Sequence, residues 1–267
     1  MARFEYRPNY LDERSLNWYF DELILKRRID DHPKDLEAHC KLGWFWIEFN
    51  NYDKALAAFN KAVSLNPNKS EAYCERGAFF ERTGKYEQAL ADLNKAVSLN
   101  PNDAEAYFER GLLFFDDSNK DEQAIADFTR VIELNPKDGR AYDLRGISHA
   151  VLKDFDSAVK DYTRALEFLA PNYSSRFPLI YNNRGVAHRE LKNYSQALAD
   201  HTNAIELAPE YGKAYYCRGI VYGYLENYAA AIADFSKIIS NVPNATYAYN
   251  ERGRCLHKFG RIREGGC

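Results

Sequence analysis

What the 267-residue chain lacks narrows it first. No apolar stretch approaches the roughly 18 residues that cross a bilayer, and the opening MARFEYRPNY has no apolar run of the kind that directs secretion. We therefore expect a soluble, cytoplasmic protein with no membrane partner. Charge of one sign is also lacking: 36 Lys and Arg against 39 Asp and Glu leave a formal net charge of −3. That balance offers no general field for drawing in nucleic acid. Cysteine is sparse, odd in number and scattered, at Cys40, Cys74, Cys217, Cys255 and Cys267, with no C-x-x-C pair. This disfavours a disulfide framework and a zinc site and predicts reduced thiols. Phosphate-binding glycine loops, nucleophile elbows, H-E-x-x-H pairs and calcium loops are missing as well. The expectation is a non-catalytic protein with no cofactor and no metal.

What is present is a period. With nine prolines, 46% hydrophobic and 15% aromatic residues, the chain has the composition of an ordered protein. Its glycines at 43, 77, 111, 146, 185, 219 and 253 are spaced 34, 34, 35, 39, 34 and 34 apart. A fixed spacing of this size means stacked supersecondary units. An aromatic or histidine stands four residues before each glycine (His39, Tyr73, Tyr107, Tyr142, Tyr181, Tyr215, Tyr249). After the glycine come a small residue (Ala55, Ala89, Ala124, Ala158, Ala197, Ala231), a bulky one four residues on (Phe59, Leu93, Phe128, Tyr162, His201, Phe235) and a second, mostly small position three further on. The i, i+4, i+7 spacing lies on one helical face. Prolines at 67, 101, 136, 209 and 243 then stop that helix. Each unit is thus two antiparallel helices, with the glycine expected to face the alanine and the rings to fill the gap between units.

These landmarks resemble the tetratricopeptide repeat family over six full repeats. The resemblance implies an all-α, right-handed superhelical solenoid of stacked antiparallel helix pairs. Its expected parts are an N-terminal segment and capping helix at 1–35, repeats at 36–69, 70–103, 104–138, 139–177, 178–211 and 212–245, and a C-terminal capping helix and tail at 246–267. Leu16, Phe20, Leu23 and Ile24 form the apolar stripe of the first cap.

One departure from the family recurs. Arg76, Arg110, Arg145, Arg184, Arg218 and Arg252 precede the glycines where the family more often has leucine, and the first repeat keeps Leu42. Repeats two to six carry Asp92, Asp127, Asp161, Asp200 and Asp234 before the bulky position, where the first repeat has Ala58. Arginine and aspartate enter and leave together, which predicts an ion-pair ladder, since a partly buried arginine needs a carboxylate. The pairing is open: within a repeat, or back to the preceding one. A ligand role for the arginines is the competing reading.

His149, His188 and His201 fall in neighbouring repeats and raise a metal or pH-sensing site as an alternative function. Five extra residues over LAPNYSSRFPLI form either a binding rim or a harmless insertion at 169–177. Cys267 is not part of a prenylation box.

The resemblance further implies that the first helices line a concave groove for a peptide or helix of another protein. Carried over by position, the groove residues are Trp44, Ile47, Phe108, Leu112 and Phe115 at an apolar N-terminal end, and Arg189, Lys213, Tyr216, Tyr224 and Arg254 at a more polar and basic C-terminal end. A partner segment would place apolar anchors on the first set and acidic residues on the second. Alternatively, the apolar end is covered by Phe4, Tyr6 and Tyr10 of the same chain, or by a second copy. The lysine, asparagine and arginine clamp with which one branch of the family grips a chaperone tail is not reproduced: Cys40, Trp44, Glu75, Glu105 and Glu109 hold its slots. The function so read is an adaptor or scaffold for protein interaction. The alternatives are a regulatory or self-associating subunit of an enzyme complex, or the histidine site.

Overall fold

A computed structural model describes residues 18–117 and 119–264, with side chains from 22 to 260. Phe4, Tyr6, Tyr10, Leu16 and Cys267, and the side chain of Phe20, lie outside the described residues. The helices fall into two compact units, one ending at Pro136 and the other beginning at Lys137. No strand occurs among the described residues, and no helix there is long and apolar enough to cross a membrane.

In the first unit, α1 (Trp18–Asp31) precedes three hairpins: α2 (Leu36–Glu48) with α3 (Tyr52–Leu65), α4 (Ser70–Arg82) with α5 (Tyr86–Leu99), and α6 (Ala104–Phe115) with α7 (Asp121–Leu134). First helices also touch one another, α2 against α4 and α4 against α6. The second unit repeats the plan with α8 (Gly139–Val151) and α9 (Phe155–Phe168), α10 (Phe177–Glu190) and α11 (Tyr194–Leu207), and α12 (Gly212–Tyr224) and α13 (Tyr228–Asn241). It ends in α14 (Thr246–Glu264), packed on α13 and α12. A 3-10 turn, Pro171–Arg176, joins α9 to α10.

Local chemistry explains the hairpins. Asp35, Asp103 and Asp138 cap first helices by accepting from Ala38, Ala106 and Ala141 backbone N–H groups. First helices close in a left-handed residue at one recurring turn position, Asn50 (φ 54°), Gly84 (φ 74°), Lys153 (φ 63°), Lys192 (φ 61°) and Glu226 (φ 57°). The next residue then bonds back to the helix, as Lys85 N–H does to the Phe80 carbonyl at 2.8 Å.

The contact between paired helices differs in one respect from the sequence expectation. The glycine of each first helix is covered by the bulky side chain of its own repeat rather than by the alanine. A Cβ added at Gly43 would lie 2.6 Å from the Phe59 ring, and one at Gly185 2.8 Å from His201. Ala55, Ala89, Ala124, Ala158, Ala197 and Ala231 are fully buried beside these contacts. Because a bulky side chain presses on a bare backbone, it fixes the distance between the two helices of a repeat.

Candidate functional site

The arginine ladder forms, and its register is within the repeat. Nε and Nη2 of Arg76 donate to the two carboxylate oxygens of Asp92 at 2.6 and 2.8 Å. The same fork joins Arg110 to Asp127, Arg145 to Asp161, Arg184 to Asp200 and Arg218 to Asp234, at 2.6 to 2.9 Å. The preceding repeat is reached by the remaining nitrogen. Nη1 of Arg76 and Arg110 donates to the Asn60 and Asn94 amide oxygens, and that of Arg184 and Arg218 to the Thr163 and Thr202 hydroxyls. Each guanidinium also lies over the tyrosine three residues before it, 5.5 to 5.8 Å from the ring centre for Arg76, Arg110, Arg145, Arg184 and Arg218. The hydrogen-bonded aspartate holds the guanidinium pKa of Arg76, Arg110 and Arg218 above its ordinary value. With the fork committed to a buried carboxylate, these arginines serve the scaffold.

The first repeat has no rung. Leu42 and Ala58 instead border a depression of about 400 Å³ together with Trp46, Lys54 and Lys61. The Lys54 ammonium sits 4.0 Å from the centre of the Trp46 ring.

The three histidines form no shared centre. Nδ1 of His149 is 3.4 Å from Asp154, and Nε2 of His149 and of His188 lies 3.9 and 4.0 Å from Asp161 and Asp200 in their own repeats. His201 is sealed beneath Gly185. Among the described residues no three His, Cys, Asp or Glu side chains gather as a metal site requires. Burial, aided by Arg189 and Arg218, lowers the His201 pKa to about 3, and burial lowers that of His188.

Much of the apolar end of the expected groove is interior. Ile47, Phe108 and Leu112 are 3%, 1% and 6% exposed, which corrects their reading as surface anchors. Ile47 belongs to the core that holds Phe59, Phe79 and Leu93, and Phe108 lies 5.8 Å from Phe128. The physical reason for Ile47 is that first helices pack side by side, so side chains pointing along that face meet a neighbouring helix. Trp44 is half-buried, its ring edge-on to Phe59 at 5.5 Å and its indole N–H donated to Glu75. Phe115 is half-buried too.

The insertion is exposed from Ala170 to Asn172 and at Ser174 and Ser175, and is anchored by a buried residue at its end. Arg176 at its end is 2% exposed, and its Nη2 donates at 2.7 Å to the carboxylate of Asp143 on α8, which is fully buried. Tyr162 and Tyr211 feel the Arg176 charge, while burial raises both phenols, Tyr211 to about 12. The signal for this pair was an aspartate, the one acid in a slot that holds Cys40, Cys74, Phe108, Asn182, Tyr216 and Asn250 elsewhere.

The basic residues of the second unit stand near one another. Arg189 of α10 and Lys213 of α12 both bear electrostatically on Cys217, and Arg189 and Arg254 of α14 both bear on Tyr216. Burial raises the Cys217 thiol and, with the Glu251 charge beside it, the Tyr216 phenol, and these cations oppose the rise. Tyr216 lies between Phe235 and Tyr247, at 5.9 and 5.4 Å, and Tyr224 stacks on Tyr194 at 5.7 Å while remaining 62% exposed. Sequence reasoning missed Tyr194 and Tyr247, which lie outside the positions carried over. Lys213 is exposed, Arg189 pairs with its neighbour Glu190, and Arg254 pairs with Glu251.

Models of the TPR repeat match residues 48–84 and 78–118, and two tetratricopeptide repeat models match 178–211, and 118–175 with 216–264. No curated protein matches the chain. Solved structures with a similar fold include YrrB, a TPR protein with an unusual peptide-binding site (TM-score 0.67, 22% identity, 73% of this chain and 98% of that one). Another is pilF of Pseudomonas aeruginosa (0.65, 14%, 84% and 97%). A third is the APC/C hetero-tetramer Cut9-Hcn1 (0.64, 19%, 90% of this chain), in which this chain spans 46% of the matched chain.

Proposed function

Since the chain belongs to the tetratricopeptide repeat family, a generally non-catalytic interaction fold, we propose that it binds a partner protein through the face of α10, α12 and α14, and that the bound segment is acidic. The observation that carries this reading is the convergence of Arg189, Lys213 and Arg254 on Tyr216 and Cys217. Unlike the ladder arginines, Lys213 and Arg254 lie exposed; Arg189 pairs with the exposed Glu190, and Arg254 with the half-buried Glu251. Rearranging such surface pairs costs little, typically under about 1 kcal/mol.

Tyr216 and Tyr224 give the same face amphipathic rings, the side chains that with arginine dominate interface energetics. The first unit supplies less: Ile47, Phe108 and Leu112 are committed to the interior, leaving Trp44 and Phe115 half-exposed as secondary contacts.

A peptide-display selection on the whole protein, followed by anisotropy at low and high salt, tests the reading. Acidic peptides should be enriched. Lys213→Glu with Arg254→Glu should weaken them by on the order of tenfold or more, and Trp44→Ala by much less. Enrichment of neutral or basic peptides, or indifference to the double reversal, overturns it.

A further inference from the structure

Arg176 ends the insertion and is the residue from which α10 starts. An arginine taken out of water is costly unless its partner is well placed. Asp143 meets that need from α8, 33 residues earlier in the chain, across a 2.7 Å bond sealed from solvent on both sides. The ladder pairs lie within single hairpins, whereas this pair ties the start of α10 to α8.

The same end of α10 is joined to α12. Tyr181 in the second turn of α10 and Tyr211, the residue that begins α12, both pack against Ala204, Ile205 and Ala214. Tyr211 feels the charge of Arg176 on one hand and the Cys217 thiol on the other. Cys217 is the residue on which Arg189 and Lys213 converge, and Lys213 follows Tyr211 by two positions. What holds Tyr211 therefore sets where Lys213 stands. The buried pair cannot slide without leaving a charge unpaired in the interior, so it resists displacement more strongly than apolar packing would.

We propose that Arg176 is a positioning residue of the face formed by α10, α12 and α14: locked onto Asp143, it holds the N-terminal end of α12 in register with α10, so that Lys213 acts together with Arg189 on one acidic segment. The inference rests on the reading of that face given above and assigns the side chain that keeps it in shape. Register matters because attraction between exposed charges is largely screened beyond about 10 Å at 0.1 M salt.

The test compares the whole protein with Arg176→Met, Asp143→Leu, which removes the lock and both charges together and leaves an apolar interior. Amide exchange in the first turn of α12, from Gly212 to Tyr215, should rise on the order of tenfold, while α13 exchanges as in the wild type. A fluorescein-labelled peptide of six glutamates should bind on the order of fivefold more weakly and with a shallower salt dependence, as fewer cations act on it together. Arg176→Lys, which keeps a cation opposite Asp143 but loses the planar fork, should show smaller shifts of the same sign in both measurements. A loss of stability alone would move α13 with α12 and leave the salt dependence as it was. Unchanged exchange in α12 overturns the proposal, and so does peptide binding equal to wild type in affinity and salt dependence. If the wild type itself does not bind the peptide, the acidic-segment reading falls, and the exchange of α12 still decides whether Arg176 holds that helix.

Discussion

The same slots are filled with different chemistry in the two units. Below each first helix, the first unit places Phe59, Leu93 and Phe128 against glycine, while the second places Tyr162, His201 and Phe235. One turn earlier on the first helices the contrast repeats: Cys40, Cys74 and Phe108 against Asp143, Asn182 and Tyr216. Both units keep the ladder. At these two slots the first unit is therefore apolar throughout, whereas the second buries Asp143, Asn182 and His201 there.

Several of those groups lack partners. The amide atoms of Asn182 and both ring nitrogens of His201 make no hydrogen bond with protein. Each such group lowers stability by an amount typical of unmet desolvation, about 1 to 3 kcal/mol. The same backbone plan thus tolerates two interiors, and the polar one leaves the second unit more sensitive to solution conditions.

The largest effect expected from breaking this contrast is at the buried pair. Asp143→Ala removes a carboxylate from a fully buried arginine and should cost about 3 to 5 kcal/mol in urea unfolding. Arg176→Met with Asp143→Leu, which installs the chemistry of the first unit, should recover most of that loss.

Next comes the acid response. The His201 pKa is about 3 in the folded chain, against 6.5 in an unfolded one, so the unfolded state takes up the proton first as pH falls. Stability is full above pH 6.5 and declines from there toward 3, by roughly 1.4 kcal/mol per pH unit once well below 6.5. His201→Phe, copying Phe235, should flatten that slope and raise the midpoint at neutral pH. An unchanged slope would mean that another group governs the acid response.

The smallest effect is at the hairpin turns. The first unit uses Gly84 at a left-handed position where the second uses Lys153, Lys192 and Glu226. Lys153→Gly should stabilise by up to about 1 kcal/mol and Gly84→Lys should destabilise by a similar amount, both read in thermal melts.

How legible these features were in the amino-acid sequence depended on repetition. The 34-residue period, the helix pairs and the partnership of Arg76 with Asp92 could be read because each appears several times and fails jointly at Leu42 and Ala58. The register of the ion pair could not be counted out, because Arg76 to Arg252 and Asp92 to Asp234 make five pairs whether each arginine turns to its own repeat or to the preceding one. Residues of the candidate face were harder. Ile47 and Phe108 have the hydrophobicity of docking anchors and of core residues alike, and only packing separates the two. Arg176 lies in an insertion with no internal copy for comparison, so its burial against Asp143 left a faint trace in the sequence: a single acid in a slot that is otherwise uncharged.

A repeat in this chain carries both charges of its own rung. A copy inserted or removed as a unit therefore brings an equal cation and anion, and the ladder adds nothing to the net charge however many repeats are present. The third nitrogen of Arg76, Arg110, Arg184, Arg218 and Arg252 finds Asn60, Asn94, Thr163, Thr202 and Ser236, and an amide or a hydroxyl serves equally well. Neighbouring repeats need only a modest oxygen at that place to be compatible. Such a joint is tolerant of exchange: the array can be lengthened, shortened or recombined at repeat boundaries without redesigning the spine, while the faces that select partners diverge independently.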